Sequence, residues 1–154
     1  MIPFNPDFRD LLSSFIDCKV RFLMVGGYAV AFHGHPRATK DLDVWIDPSP
    51  ENAPQVLRAL AAFGAPLDDL TLSDLTTSST VFQMGVPPRR IDVICGISWG
   101  DFASAWNRRE VLDLDGLQIP VIALDDLIAN KRASGRLQDL ADIEALLDLR
   151  AHER

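Results

Sequence analysis

The chain is poor in the residues that build disulfide frameworks, zinc sites and membrane spans. Among its 154 residues there are only two cysteines and three histidines. Cys18 and Cys95 lie far apart and have no His or Cys at metal-ligand spacing, so the sequence predicts neither a zinc site nor a disulfide. It favours two buried thiols in a reducing compartment. The most apolar segment, 22–32, is too short and too interrupted by glycine to cross a bilayer.

Two further absences concern location and organisation. The first ten residues carry Asp7, Arg9 and Asp10 in place of an apolar run, which is unlike a signal peptide, so we expect a cytoplasmic protein with no membrane partner. No repeat and no linker-like segment divides the sequence, and its length suits one hydrophobic core. We therefore expect a single domain over residues 1–154.

Positive charge is also scarce. The chain has 15 Lys and Arg against 22 Asp and Glu, which gives a formal net charge of -7. Because nonspecific affinity for nucleic acid comes mostly from cations on phosphates, this balance argues against a large nonspecific nucleic-acid footprint, although a local basic groove stays compatible with it. The hydrophobic fraction of 47% is ordinary for a globular protein.

Apolar periodicity and turn residues predict alternating helices and strands. The predicted helices are a first one capped by Asn5, then 28–33, one that starts at 49–51 and ends at Gly64, then 101–109, 125–133 and a last one around 137–147. The predicted strands are 20–25, 39–46, 77–84, 89–94, 111–114 and 117–121, and Asp115-Gly116 predicts a tight turn between the last two. The last helix is marked as amphipathic by Leu137, Leu140, Ala141, Ile143, Leu146 and Leu147. This order indicates a small α/β (or α+β) domain with a mixed sheet flanked by helices.

Two aspartates separated by one residue are the strongest chemical signal. Asp41 and Asp43 lie in a strand-like segment, where side chains two residues apart project to the same face. Leu42, Val44 and Ile46 then point the other way, into a core. Carboxylates this close repel unless a cation lies between them, and hard oxygen ligands suit Mg²⁺ or Mn²⁺. The alternative is a solvated strand face, and the pair alone leaves both interpretations open.

A glycine pair and a third aspartate give this signal context. Gly26-Gly27 separates a predicted strand from a short helix, where backbone can approach a ligand closely and free N–H groups can face a phosphate, although most such pairs are simply turns. Asp92 stands between apolar neighbours in a predicted strand, which is unusual for a carboxylate, unless the position is exposed on a half-solvated strand with Arg89 or Arg90 nearby. If its strand lies beside that of Asp41 and Asp43, three carboxylates converge on one metal site.

The order of these motifs resembles the nucleotidyltransferase superfamily with the polymerase-beta-like fold. The closest resemblance is to AbiEii-like and other minimal bacterial nucleotidyltransferases. It is carried by Gly26-Gly27, by the segment Arg37-Ala38-Thr39-Lys40-Asp41-Leu42-Asp43 and by Asp92. One departure is the second glycine, since many members have Gly-Ser here and use the Ser hydroxyl on the triphosphate.

The resemblance implies a role for each carboxylate. Asp41 and Asp43 would hold two Mg²⁺ ions (Mn²⁺ is an alternative), and Asp92 would complete the shell of the catalytic metal and help deprotonate an attacking hydroxyl. The implied reaction transfers a nucleoside monophosphate from a nucleoside triphosphate to an acceptor hydroxyl and releases pyrophosphate.

The resemblance also implies a nucleotide-binding set. Its members are Gly26, Gly27, Arg37, Lys40 and Lys131. The glycines would act through backbone N–H groups, and the cations would balance a triphosphate. The alternative for the cluster around Lys131 is a solvated helix face, in which Arg136 pairs with Asp139.

Three side chains have a functional and a structural interpretation. Trp45 shares a face with the aspartates by alternation, so it is the best candidate to stack on a base, although core packing is favoured. His33 and His35 could act as bases, but a role as cap or packing residue is favoured.

The acceptor stays open. It could be RNA such as a tRNA end, a protein side chain or a small molecule, and the net charge favours a small or protein acceptor over RNA. A toxin with an antitoxin partner is suggested by the resemblance only. The alternative from another class is a non-catalytic nucleotide- or partner-binding module that retains the fold, and a purely structural domain would show no metal dependence.

Overall fold

The computed structural model describes residues 4–152, which form six helices and six strands. The helices are α1 (Pro6–Asp17), α2 (Gly26–Phe32), α3 (Ala53–Phe63), α4 (Phe102–Asn107), α5 (Leu124–Ser134) and α6 (Leu137–His152). The strands are β1 (Phe22–Val25), β2 (Asp41–Ile46), β3 (Val81–Met84), β4 (Arg90–Ile94), β5 (Glu110–Leu114) and β6 (Leu117–Val121). A short 3-10 turn, Asp74–Thr76, lies in the connection between α3 and β3.

The strands form one mixed sheet in the order β3-β4-β2-β1-β6-β5. Neighbours are parallel in the pairs β1–β6 and β2–β4 and antiparallel in the pairs β1–β2, β3–β4 and β5–β6. The mixed sheet flanked by helices that the sequence predicts is therefore confirmed. Its consequence for function is that β2 and β4, far apart in the chain, are neighbours.

Several boundaries follow from local chemistry that the sequence displays. Asn5 caps α1, since its side-chain oxygen accepts a hydrogen bond of 2.9 Å from the backbone N–H of Phe8. Gly64 ends α3 in the left-handed conformation, at φ +96°. The tight turn between β5 and β6 places Asp115 and Gly116 at positive φ, as a two-residue hairpin requires.

The core lies between the sheet and the helices. The residues of β1 are all buried, and the apolar side of β2, which consists of Leu42, Val44 and Ile46, is fully enclosed. Helix α1 packs against α3, and the Ser14 hydroxyl donates a 2.7 Å hydrogen bond to the Ala59 carbonyl. Within residues 4–152, no helix combines the length and the apolarity that crossing a membrane requires.

Two sequence expectations are wrong in detail. The last helix buries only Ile143 and Leu146 of its predicted apolar stripe: Leu137 is 87% exposed, and Leu140 and Leu147 are exposed as well. Its buried face instead carries two aspartates with Ile143 and Leu146. Cys18, predicted to be buried, is only half-buried.

Candidate active site

Strand register brings the three predicted carboxylates to one side of the sheet. The two strands run parallel, and their register places Asp43 of β2 directly opposite Asp92 of β4 and Asp41 opposite Arg90. Residues directly opposite in neighbouring strands project to the same face. Asp92 therefore joins Asp41 and Asp43, on the side away from the apolar residues of β2.

The three carboxylates line one cavity of about 560 Å³. Its other polar walls come from β4 and from the α5–α6 region, including Arg90, Asn130 and Lys131. A smaller cavity of about 380 Å³ adjoins the same two aspartates of β2 and is lined by the segment 37–41 and by Gly26 and Gly27. The site therefore has room for a ligand on two sides of the carboxylates.

A single guanidinium partly neutralises this cluster. Arg90 Nε donates to Asp92 Oδ1 at 3.2 Å, and its Nη2 donates to Asp92 Oδ2 at 3.1 Å. The same Nη2 lies 3.4 Å from Asp41 Oδ2. These contacts raise the pKa of Arg90, through the hydrogen bond to Asp92 first and then the charges of Asp92 and Asp41. One positive charge is thus shared by carboxylates of two strands.

The remaining charge imbalance appears at Asp43. Burial first, and then the negative charges of Asp92 and Asp41, together raise the pKa of its carboxyl to about 7, against a smaller opposing effect of Arg90. Near pH 7, the Asp43 carboxyl is therefore protonated in part of the molecules. A cation bound here would replace that proton.

The donor set fits a hard divalent cation. Asp41 Oδ1 is buried without a hydrogen-bond partner, which is costly for a carboxylate oxygen unless a ligand satisfies it. All three side chains offer oxygen, the ligand that Mg²⁺ and Mn²⁺ prefer. Among residues 4–152, no group of three or more His, Cys, Asp or Glu side chains is already arranged to hold a metal ion. At these carboxylates, Arg90 lies between the oxygens that a metal would need.

The first glycine of the pair leaves space for a carboxylate. Gly26 begins α2 at φ +68°, and a Cβ at this position would come within 2.1 Å of Asp43 Oδ2. A Cβ on Gly27 would come within 2.5 Å of the Thr39 hydroxyl. Both glycines are therefore explained by the close approach of α2 to β2 and the segment before it, whether or not their N–H groups also bind phosphate.

A second charge cluster lies where α5 and α6 meet the segment before β2. Arg37 donates to both oxygens of Asp142, at 2.9 and 3.0 Å. Lys131 Nζ lies 3.1 Å from Asp139 and 3.0 Å from Asp142. Arg136 pairs with Asp139 at 2.8 Å, the i,i+3 pair that the sequence offers as an alternative. Three cations therefore share two carboxylates.

This second cluster is largely buried. Asp142 is 0% exposed and Lys131 is 4% exposed. Burial alone would raise the pKa of Asp142, but hydrogen bonds from Arg37 and Lys131 outweigh it and hold the pKa below its usual range. Hydrogen bonds from Arg136 and Lys131 do the same for Asp139.

The predicted phosphate-binding cations differ in whether their side chains already pair with a carboxylate. Arg37 and Lys131 line the cavities but are engaged with the aspartates of α6. Lys40 is exposed and lines the smaller cavity beside Asp41. Contact of these side chains with a nucleotide stays a prediction, and Lys40 is the most available of the three.

Trp45 and His33 make structural contacts. Trp45 is 2% exposed and packs edge-to-face on Phe102 of α4, with ring centroids 5.2 Å apart. His33 caps α2, and its Nε2 makes a 2.8 Å hydrogen bond with the carbonyl oxygen of Ile122. Both observations agree with the packing roles that the sequence favours.

Two residues of the site, Arg90 and Asp142, were not predicted from the sequence. Arg90 appeared there only as a neighbour of an exposed Asp92, yet alternation two residues before Asp92 places it on the same strand face. Asp142 shares a helical face with Asp139, Ile143 and Leu146, and that spacing was the available signal.

Comparisons with known proteins identify the family to which the chain belongs. Residues 9–148 match a family described as "Nucleotidyltransferase of unknown function (DUF6036)". The chain belongs to this nucleotidyltransferase family. The predicted superfamily is thereby confirmed. Among curated proteins, no sequence matches the chain.

Two solved structures share the nucleotidyltransferase fold. A protein from Thermotoga maritima, described provisionally as a nucleotidyltransferase, is 19% identical, with a TM-score of 0.57 over 99% of this chain and 97% of the other. An antigenic nucleotidyltransferase-like protein from Paracoccidioides brasiliensis is 16% identical, with a TM-score of 0.53 over 96% of this chain and 79% of the other. At these identities the similarity establishes the fold.

Proposed function

We propose that this protein is a divalent-metal-dependent nucleotidyltransferase. It would move a nucleoside monophosphate from a nucleoside triphosphate to an acceptor hydroxyl. The observation that carries the proposal is the register of β2 and β4, which sets Asp41, Asp43 and Asp92 around one cavity. Membership of a nucleotidyltransferase family supports the reaction class.

The proposed reaction is an in-line displacement at the α-phosphorus. A bond from the acceptor oxygen to phosphorus forms as the bond from phosphorus to the oxygen bridging to the β-phosphate breaks, and pyrophosphate leaves. Two Mg²⁺ ions on the three carboxylates would supply charge neutralisation at the attacking and leaving oxygens. Asp92 would accept the hydroxyl proton, and Lys40 would balance phosphate charge from the smaller cavity.

The acceptor is proposed from charge alone. A net charge of -7 supports a small molecule or a protein side chain over RNA. A toxin role with an antitoxin partner has its support in the sequence resemblance to AbiEii-like proteins. A tRNA acceptor is therefore included in the test as a separate arm.

One observation favours a second candidate, a binding module that retains the fold without catalysis. Arg90 already compensates part of the carboxylate charge, so the cluster does not depend on a metal to persist. Such a module would bind a nucleotide or a partner and transfer nothing.

A labelling experiment separates the two candidates. The protein is incubated with each α-labelled nucleoside triphosphate and Mg²⁺, together with tRNA, lysate protein or a small-molecule pool. We expect label transfer by the wild type and a loss of orders of magnitude in Asp43→Asn. Asp68→Asn, an exposed loop aspartate, is the matched control and should transfer normally. Nucleotide binding with no transfer to any pool would contradict the proposal and support the binding module.

A further inference from the structure

Arg90 contacts carboxylates of both β2 and β4. It lies opposite Asp41 in the sheet and two residues before Asp92 on the same strand. Both oxygens of Asp92 accept from its guanidinium, and one oxygen of Asp41 lies 3.4 Å from it. The Asp92 side chain is only 9% exposed, so water offers it little alternative compensation.

A guanidinium and a divalent cation compete for these oxygens. Metal binding to Asp92 requires at least one of its oxygens to leave Arg90, and two cations this close repel each other. The guanidinium side chain is 34% exposed, so it has an open side toward which it can move.

We infer that Arg90 is a resident counter-cation, which stabilises the carboxylate cluster without metal and has to be displaced when metal binds. The inference rests on the proposed function, because it assigns these carboxylates to a metal. It adds a positioning residue that sets how tightly the metal is held.

The neighbouring arginine provides a matched control. Arg89 precedes Arg90 directly, but its side chain is 69% exposed and lies 3.6 Å from Asp7 of α1. It lines cavities other than the one that contains the three carboxylates. Removal of either arginine changes the net charge equally, so a difference between the two variants reports the local contact.

The test measures metal binding without catalysis. Mn²⁺ is titrated into the wild type, Arg90→Gln, Arg90→Lys and Arg89→Gln, and free Mn²⁺ is followed by electron paramagnetic resonance. We expect Arg90→Gln to bind Mn²⁺ about tenfold more tightly or better and to melt at a lower temperature without metal. Arg90→Lys should lie between, and Arg89→Gln should match the wild type.

An unchanged dissociation constant in Arg90→Gln, or an equal gain in Arg89→Gln, would overturn the inference. If Arg90→Gln folds only with Mn²⁺, that rescue supports the inference. If it does not fold at all, Arg90→Lys decides, and an unchanged constant there overturns it.

Failure of the proposed function gives a different result. Asp92→Asn should weaken Mn²⁺ binding if these carboxylates hold the metal. If Asp92→Asn and Arg90→Gln both leave binding unchanged, the metal site itself is wrong. If only Asp92→Asn changes Mn²⁺ binding, the metal site is supported and the inferred role of Arg90 is wrong.

Discussion

Two charge clusters border the same cavity and are balanced in opposite ways. At the paired strands β2 and β4, three carboxylates share the guanidinium of Arg90. Between α5, α6 and the segment before β2, the two carboxylates of Asp139 and Asp142 share three cations. The pKa values follow this contrast: that of Asp43 is raised to about 7, whereas those of Asp139 and Asp142 are lowered.

The contrast separates structural from functional charge. A buried aspartate whose oxygens are occupied by Arg37 and Lys131 has little capacity left for a ligand, and it connects α6 to α5 and to the chain before β2. A cluster with excess negative charge and an unpartnered oxygen on Asp41 still attracts a cation. We therefore propose ligand binding at the first cluster and a role in stability for the second.

Breaking the balanced cluster should have the largest effect on stability. Asp142→Asn leaves Arg37 without its charge partner and Lys131 with Asp139 alone, and removal of one partner from a buried pair costs about 3–5 kcal/mol. Chemical denaturation at neutral pH measures the loss in free energy of unfolding. Asp148→Asn, on the exposed face of the same helix, should change it by about 0.5 kcal/mol or less. Equal losses in both variants would remove the distinction between the clusters.

The unbalanced cluster should make stability depend on pH in an unusual direction. The carboxyl of Asp43 has a pKa of about 7 when folded and an ordinary value of 3.8, so in this range the folded state binds a proton that the unfolded chain lacks. Unfolding free energy should therefore fall as pH rises from about 4 to 7, by up to about 1.4 kcal/mol per pH unit from this group.

Asp43→Asn provides the reference for that slope, because an amide does not titrate. Denaturation of both proteins across the range gives the difference, and Mg²⁺ should abolish it by keeping the carboxyl ionised. Identical slopes in wild type and variant would show that Asp43 is not perturbed.

Two alanine substitutions, at Gly26 and at Gly64, test the carboxylate cluster with a smaller expected effect. Gly26→Ala and Gly64→Ala both place alanine at positive φ, but only the first brings a Cβ into the Asp43 carboxylate. We expect Gly26→Ala to cost about 1–3 kcal/mol more than Gly64→Ala, because the carboxylate has to move. It should also weaken Mn²⁺ binding, which Gly64→Ala should not. Equal behaviour of the two variants would mean that the Gly26 position is unimportant for the carboxylates.

Local patterns in the sequence predicted much of the fold. The cap at Asn5, the end of α3 at Gly64, the Asp115-Gly116 turn and the alternation along β2 depend on a few neighbouring residues, and each is confirmed. The pairing of β2 with β4 could only be stated as a condition, because register between strands far apart depends on the whole sheet.

The rest depended on tertiary partners that periodicity does not contain. In α6, hydrophobicity favours the leucine stripe for burial, but Lys131 and Arg37 recruit Asp139 and Asp142 instead. Leu137, Leu140 and Leu147 are exposed, and only Ile143 and Leu146 of the stripe are buried. The contact of Arg90 with Asp41 likewise follows from the strand pairing and is invisible in the local sequence.

The most direct test of the central claim is a crystal structure with Mn²⁺ and a non-hydrolysable nucleoside triphosphate analogue, in which anomalous scattering locates the metal. Our account predicts an anomalous peak at the carboxylates of Asp41 and Asp43, with Arg90 moved away from Asp92. A structure at saturating Mn²⁺ with no peak there, and with both oxygens of Asp92 still bound to Arg90, would contradict it.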